Sequence, residues 1–552
     1  MMNEQKKFSN DRIFKLLCDA VGEENVSNED AILAAYSRDN QWPFIPPHLP
    51  DYIVRPITTE EVQKVLRIAN RYRIPVIPMS SGINVRGLCI PTYGGIILEL
   101  KRMKKLEIDE DMRTATVQPG VTIARLVAES AKKGLKPAVP GAPATVSPVS
   151  NYTLRGVYHH ITSEGMDQVL SATVVLPTGE ILHTGSRAFP KADPNFRYFG
   201  PDLFGLFQGQ PGTMGVVTEM TVRLFEKPEK TEVMMNFYGD VKKAIQFSDE
   251  VAKAGVASSQ ILMTWGVGLT TLGFVKSKFT KEVFSILFSM APWMTQTIVE
   301  GDEDAVEYKK NVVNKIVKRL NIDSKVTYDM VQRSDLPDGV KKVAGVTPSV
   351  SKNIFDILTS EEVLSELGTG KDEVADTGIN TEKMRDTLGV GEFRPVTPDT
   401  IEYEFRYPRK IAHWFSLGDY WALAWWGPLD KVDLYYEKSK DLWVKCGLDP
   451  VDFSLVAYPV YPYSGKPAYV EIDAWMDFVS DPSSIDKVKM FTKKETDLLL
   501  NDVGIYAWFR PYRDVIKQSL PQIKGYYIPL WKKLKELLDP NNIMNPGALF
   551  DE

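Results

Sequence analysis

Three glycines, Gly209, Gly212 and Gly215, fall within seven residues of the stretch Phe204 to Leu224, F-G-L-F-Q-G-Q-P-G-T-M-G-V-V-T-E-M-T-V-R-L. Glycine takes positive φ without steric cost, so such a turn lets a flat ligand approach bare backbone. A second stretch, Pro75 to Gly87 (P-V-I-P-M-S-S-G-I-N-V-R-G), joins a helix–strand unit to another polar, backbone-rich loop. A third, Pro140 to Ser147, is made of small residues suited to contact with a planar ring system. Other chemistry is harder to build here. The five histidines, His48, His159, His160, His183 and His413, form no cluster with metal-ligand spacing. Cys18, Cys89 and Cys446 lie too far apart for a disulfide framework or an iron–sulfur motif. No G-x-G-x-x-G follows a strand, and Gly368-Thr369-Gly370-Lys371 lacks the remaining residues of a P-loop.

Regular elements are expected on either side of these loops. Helices are read at Arg12 to Val21 and Asn28 to Ala35. Thr58-x-x-Glu61 reads as a capping box that opens a helix with Val62, Val65, Leu66 and Ala69 on one face. A short strand, Ile74 to Pro78, then delivers the first loop. Strands are expected at Ile96 to Leu100 and Thr114 to Val117, then a helix from Thr122 to Gly134, and a hairpin around Pro177-Thr178-Gly179. After Gly215 the residues alternate, Thr218, Met220, Val222 and Leu224 on one face and Val217, Glu219, Thr221 and Arg223 on the other, as in a half-buried strand.

Composition changes near Pro228. Apolar strands such as Ile261 to Trp265 and Thr295 to Val299 alternate with amphipathic helices, of which Asp302 to Leu320 starts acidic and ends basic, as the helix dipole favours. Asn321 to Pro395 reads as a polar excursion with short helices. Late strands hold an aromatic run, Trp421, Trp425, Trp426, Tyr458, Tyr461, Tyr463, Tyr469 and Trp475, and a last helix, Pro529 to Leu538, stacks Leu530, Leu534 and Leu538. The reading is α+β, with a first domain at 1–227, a second α/β domain with an antiparallel sheet at 228–497, and a C-terminal segment, 498–552, that returns to the first.

With 43% hydrophobic and 25% charged residues, the 552-residue chain has the balance of a water-soluble globular protein. A net charge of −6 disfavours nucleic acid, whose phosphates reward a basic surface. The N-terminus, M-M-N-E-Q-K-K-F-S-N, has no apolar signal core. Ala254 to Val275 is uncharged and of membrane length, but its glycines and hydroxyl residues make it a buried strand and loop instead of a transmembrane segment. A reducing, cytoplasmic setting is expected.

The two glycine-bearing loops, in this order, together with the C-terminal D-P-N-N-I-M-N-P-G of Asp539 to Gly547, resemble the flavoprotein family of vanillyl alcohol oxidase and p-cresol methylhydroxylase over nearly the whole chain. The resemblance implies a two-subdomain FAD-binding domain of the p-cresol methylhydroxylase type and a cap domain that holds the substrate. It places Pro78, Met79, Ser80, Ser81, Gly82, Ile83 and Asn84 around the FAD pyrophosphate. Pro140, Gly141, Thr145, Ser147, Asn151, Gly212, Gly215, Val216, Val217 and Asn545 complete the implied cofactor site. Some family members bind FAD covalently. Here Leu423 stands where the oxidase has its histidine, and Met79-Ser80-Ser81-Gly82 offers none in the first loop, so non-covalent FAD is expected, with Tyr420 as the alternative phenolic anchor.

The family's catalytic groups carry over in part. Gly504-Ile505-Tyr506-Ala507 matches its Gly-x-Tyr-Arg segment with alanine for arginine, which leaves Arg510 or Arg513 to supply the charge. A second family tyrosine has no counterpart at Gly87-Leu88-Cys89. A third aligns to His159, beside Tyr158 and His160, and the acidic residue next to the flavin aligns to Gly141. The implied reaction is hydride transfer to flavin N5 from an aromatic substrate, a 4-alkylphenol or benzylic alcohol. Tyr506, His159 or His160 would handle the substrate hydroxyl and Arg510 the developing charge. No metal is expected. The alternatives are a D-2-hydroxy-acid dehydrogenase of the lactate or glycolate type, whose N-terminal signature Tyr36-Ser37-Arg38-Asp39 resembles, and an FAD subunit that passes electrons to a separate acceptor protein. A homo-oligomer, a dimer, is expected from the same resemblance.

Overall fold

The computed structural model describes residues 11–39, 43–83, 87–139, 145–154, 165–267, 292–322, 419–459, 467–476, 478–503, 521 and 523–549. Two compact units account for them. One contains Met1–Tyr158, Ser163–Lys227 and Thr492–Glu552, and the other centres on Pro228–Phe491.

The first unit holds two sheets. The smaller has four strands, β1 (Val26–Ser27), β2 (Tyr52–Val54), β3 (Val76–Met79) and β4 (Ile96–Glu99), in the order β1-β2-β4-β3, with β4 parallel to both β2 and β3. Helices α1 (Asp11–Val21) and α3 (Thr59–Tyr72) pack on one face of it, and α2 (Asp30–Ala35) contributes Leu33 to the apolar cluster on the other. Val62, Val65, Leu66 and Ala69 of α3 are fully buried, so the i, i+3, i+4, i+7 stripe is the one facing the sheet. The Thr58 side chain caps this helix by accepting from the Glu61 amide at 3.1 Å. Glu61 reaches back to the Ile57 amide, one residue before the expected partner, at 2.6 Å.

The larger sheet has the order β5 (Leu106–Asp109), β6 (Thr114–Val117), β10 (Val216–Glu226), β8 (Val169–Val175), β9 (Ile181–His183), with β7 (Leu135–Pro137) extending β10. Its central β10 buries Val216, Thr218, Met220, Val222 and Leu224, the expected face, although Thr221 is buried too because the register shifts at two points against β8. Helix α4 (Ile123–Ala131) and the short α5 (Pro148–Thr153) flank this sheet. Strand β5 was not foreseen, since L-E-I-D is half-exposed and short.

The second unit is one antiparallel sheet of six strands, β11 (Lys230–Tyr238), β12 (Ser259–Thr264), β13 (Trp293–Gly301), β14 (Asp419–Pro428), β15 (Ser454–Pro459) and β16 (Pro467–Met476), in the order β11-β13-β12-β15-β16-β14. Helices α6 (Val241–Ala254), α7 (Glu303–Arg319) and α8 (Val432–Lys445) belong to this unit, and α9 (Ser483–Asp497) follows. Helix α7 is capped as its sequence suggests, the Asp302 carboxylate accepting from the Ala305 amide at 2.7 Å. Most of the polar excursion from 321 to 395 lies outside the described residues, as do Tyr461 and Tyr463.

The last helix, α10 (Tyr527–Leu538), corrects one expectation. Leu530 is half-exposed, and it is Trp531, Leu534 and Leu538 that pack on the core of the larger first-unit sheet. The stripe that packs is thus Trp531, Leu534 and Leu538, at i, i+3 and i+7 spacing. Among the described residues no helix is long and apolar enough to cross a membrane.

Candidate functional site

The two glycine loops meet inside the first unit. Where β3 ends, Pro78, Ser80, Ser81, Gly82 and Ile83 form one wall of an open cleft, with Leu88 and Cys89 beyond them. The opposite wall is Phe207, Gln210, Pro211, Gly212, Gly215, Val216 and Val217, and α5 supplies Val149, Ser150 and Thr153. The cleft is open to solvent along one side. The walls touch at one point. A Cβ on Gly212 (φ +68°) would sit 2.6 Å from Pro78 Cγ, so glycine is what allows this approach. The Gln210 side chain braces the second loop, accepting from both the amide and the hydroxyl of Thr213.

Among the described residues the backbone N–H groups of Ser80, Ser81, Gly82 and Ile83 have no acceptor. A run of unpaired amides beside a cleft is an anion-binding arrangement. A cation stands close by. Lys101 Nζ lies 3.6 Å from where a Gly82 Cβ would be, and pairs with the buried Glu99 carboxylate at 3.0 Å. Glu99 also accepts from the Tyr36 hydroxyl at 2.9 Å. Burial and then the Glu99 charge push the Tyr36 phenol up to about 12. Asp39 receives the Gly87 amide at 3.0 Å, which fixes the far end of the first loop. The Y-S-R-D stretch therefore braces this loop. Burial in the cleft wall, reinforced by Asp39 and opposed by Lys101, pushes the Cys89 thiol up to about 12, so the thiol is protonated and unreactive near neutral pH.

The residues named from the sequence separate in space. Pro78, Ser80, Ser81, Gly82, Ile83, Gly212, Gly215, Val216 and Val217 line the cleft. Met79 is buried in the apolar cluster on the α2 side of the small sheet. Thr145, Ser147, Asn151 and Asn545 are not in the walls. Ser147 caps the N-terminus of α5 without a side-chain bond, and its hydroxyl is buried with no partner among the described residues. Asn545 sits behind both loops, bonded to each. Asn84, Pro140, Gly141, His159, His160, Tyr506 and Arg510 lie outside the described residues. Lys101 and Glu99 were missed. Their signal is a charged pair, Glu-Leu-Lys, closing an apolar strand directly opposite the first loop.

In the second unit, strand pairing divides the aromatic run. Trp421 and Trp425 face the helices, Trp421 against Trp443 and Phe491 at 5.9 and 5.8 Å between ring centres and Trp425 against Tyr435 at 4.1 Å. Tyr420, Trp426, Tyr458, Tyr469 and Trp475 occupy the other face, paired across strands as Tyr420 with Trp475, Trp426 with Tyr469 and Tyr458 with Tyr469. Glu471 and Asp473 lie on that same face of β16, both buried, and Asp473 accepts from the Tyr420 hydroxyl. The Gln296 amide and the Trp475 indole N–H are also on it, buried with no partner among the described residues. Leu423 points the other way, into the helix-packed core, as its pairing with Ile472, itself paired with Leu455 on the next strand, requires.

Comparison with known proteins gives this geometry a context. Residues 50–185 match the FAD binding domain family, and residues 521–549 match the C-terminal domain of FAD linked oxidases. The glycolate oxidase subunit GlcD of Bacillus subtilis is 34% identical over 242 residues, 43% of this chain and 49% of that protein. A probable mitochondrial D-lactate dehydrogenase of Danio rerio is 29% identical over 253 residues, 46% and 50% of the two chains. The chain thus spans about half the length of the curated relatives it matches. Among solved structures, p-cresol methylhydroxylase with substrate bound superposes with a TM-score of 0.73 at 19% identity, over 97% of this chain and 96% of that one. The fold is accordingly the p-cresol methylhydroxylase-type FAD-binding fold, α+β in class, and FAD is the cofactor. The amides of residues 80–83, which have no acceptor among the described residues, the cation at Lys101 and the glycine contact at Gly212 suit a dinucleotide carrying a pyrophosphate.

Proposed function

We propose that this chain is an FAD-dependent oxidoreductase that removes a hydride from a neutral hydroxylated aromatic substrate, of the 4-alkylphenol or benzylic-alcohol kind. When bound, FAD supplies the hydride acceptor at N5. The first-unit loops hold the cofactor, and the second unit, with the segment 228–497 as its cap, recognises the substrate. One observation carries the substrate class: the second-unit sheet face that combines aromatic rings with buried polar groups at Gln296 and Trp475 that have no partner among the described residues. Rings give an aromatic ligand a stacking surface. Buried donors and acceptors without partners are expensive unless a ligand or water satisfies them, and a substrate hydroxyl does so. Glu471 and Asp473 on the same face add hydrogen-bond acceptors for a substrate hydroxyl. Tyr506 with His159 or His160 orients and deprotonates the hydroxyl, and Arg510 stabilises the developing charge.

Oxidation of a small D-2-hydroxy acid is the second reading, supported by the sequence relatives of the glycolate and D-lactate type. Anaerobic mixing of the flavin-loaded protein with each class separates the two. Phenols or benzylic alcohols should bleach the flavin, while D-lactate and glycolate leave it oxidised. Bleaching by the hydroxy acids alone refutes the aromatic reading. Reoxidation of the bleached sample in air, or only with an added acceptor, distinguishes an oxidase from a dehydrogenase.

A further inference from the structure

We propose that Asn545, with the Lys535–Asp539 pair behind it, is the positioning element that sets the separation of the two FAD loops, so that the cofactor site is completed only when the C-terminal segment has docked. The inference deepens the FAD reading and rests on it. Asn545 is 3% exposed, and its side-chain amide uses both hydrogens, one on the Leu88 carbonyl at 3.1 Å and one on the Pro211 carbonyl at 2.7 Å. Leu88 and Pro211 belong to opposite walls of the cleft. The backbone of the same turn is stitched to β3, where Val76 donates to Ile543 at 2.7 Å and Asn545 donates to Val76 at 2.9 Å. A φ of +40° at Asn545 is a conformation asparagine tolerates better than most residues.

Asp539 holds the turn in shape. Its carboxylate, buried at 2% exposure, accepts from the Ile543 and Met544 amides at 3.0 and 2.8 Å and from Lys535. Lys535 Nζ in turn donates to the Thr213 carbonyl of the second loop at 2.7 Å and to Met544 at 3.3 Å. None of Lys535, Asp539 and Asn545 lines the cleft, so they act on FAD through the loops. Removing the Asn545 amide cuts its ties to the Leu88 and Pro211 carbonyls and lets the walls drift apart, whereas the core of each sheet is untouched.

The test is FAD titration of the full-length apoprotein, followed by flavin fluorescence, for wild type, Asn545→Gly and Lys535→Met. Asn545→Gly keeps the left-handed turn and deletes only the tie. Urea unfolding of each apoprotein accompanies the titration. The proposal predicts that both variants raise the FAD Kd by about tenfold or more in the fraction that is folded before FAD is added, the scale of losing two buried hydrogen bonds, while the urea midpoints fall, most in Lys535→Met, where the buried Asp539 carboxylate loses its cation. Residual bound flavin should show a visible band shifted toward that of free FAD. A Kd within about twofold of wild type in Asn545→Gly, or weakened binding accounted for by unfolded apoprotein in both variants, overturns it. A wild type that binds no FAD overturns the reading of the cleft itself, and is a different result.

Discussion

Among the described residues two six-stranded sheets present polar and aromatic groups in opposite ways. In the first unit the sheet is a scaffold. An apolar cluster packs against it, and the cleft is made by loops at strand ends, Ser80 to Ile83 after β3 of the neighbouring four-stranded sheet and Gly209 to Gly215 before β10, offering backbone amides and bare α-carbons. In the second unit the sheet face itself carries the polar and aromatic groups, Tyr420, Trp426, Tyr469, Glu471 and Asp473. A backbone site tolerates side-chain change but not a change in loop geometry. A side-chain face is the reverse, because every second residue on a strand is replaceable only within its own face.

Neighbouring tryptophans give the sharpest break of that comparison. Trp425→Ala removes a fully buried ring packed at a tilt against Tyr435 and should lower stability by about 3–5 kcal/mol, read by urea unfolding, with FAD affinity unchanged in the folded fraction. Trp426→Ala, one residue along and on the other face, should cost less stability and raise KM for an aromatic substrate several-fold, by about 0.5–1.5 kcal/mol of ring contact. Equal effects of the two on KM would break the assignment of faces. Next in size, Gly212→Val should weaken FAD binding while sparing the second unit, since strained positive-φ positions cost about 1–3 kcal/mol even before the contact with Pro78 is counted. Unchanged FAD titration of this variant would mean the loops do not need their contact.

Smaller effects refine the cleft. Lys101→Gln should raise the FAD Kd about two- to fivefold, as an exposed charge of about 0.2–1 kcal/mol permits, and flatten its dependence on salt, with Lys101→Arg restoring both. A salt dependence identical to wild type would remove Lys101 from the site. The least is a pH effect. The Tyr36 phenol ionises at about 12 in the folded chain against an ordinary value of 10.0, so the unfolded chain loses this proton first and stability falls as pH rises from about 10 to about 12. Tyr36→Phe should show a shallower decline across that window in urea unfolding. An identical slope would mean the Tyr36–Glu99 contact is not formed in solution.

The contrast also explains what was readable beforehand. Glycine spacing is a direct statement about backbone, so the two loops, the α3 stripe of Val62, Val65, Leu66 and Ala69, and the alternation of β10 could be read from the residues alone. Which face of the second sheet carries Trp425 or Trp426 could not, because parity depends on pairing with β16, more than forty residues away in the chain. The role of Asn545 was hidden for the same reason: its two partners lie 457 and 334 residues earlier. Leu530 was misplaced by a single residue, enough on a helix to turn it out to solvent.

The most direct test of the central claim, that backbone loops hold a dissociable FAD, is reconstitution of the apoprotein with FAD followed by acid precipitation. Saturable binding with all of the yellow flavin released to the supernatant is the predicted result. Flavin retained in the pellet would mean a covalent link that neither Leu423 nor the first loop offers, and an apoprotein that takes up no flavin would contradict the account of the cleft altogether.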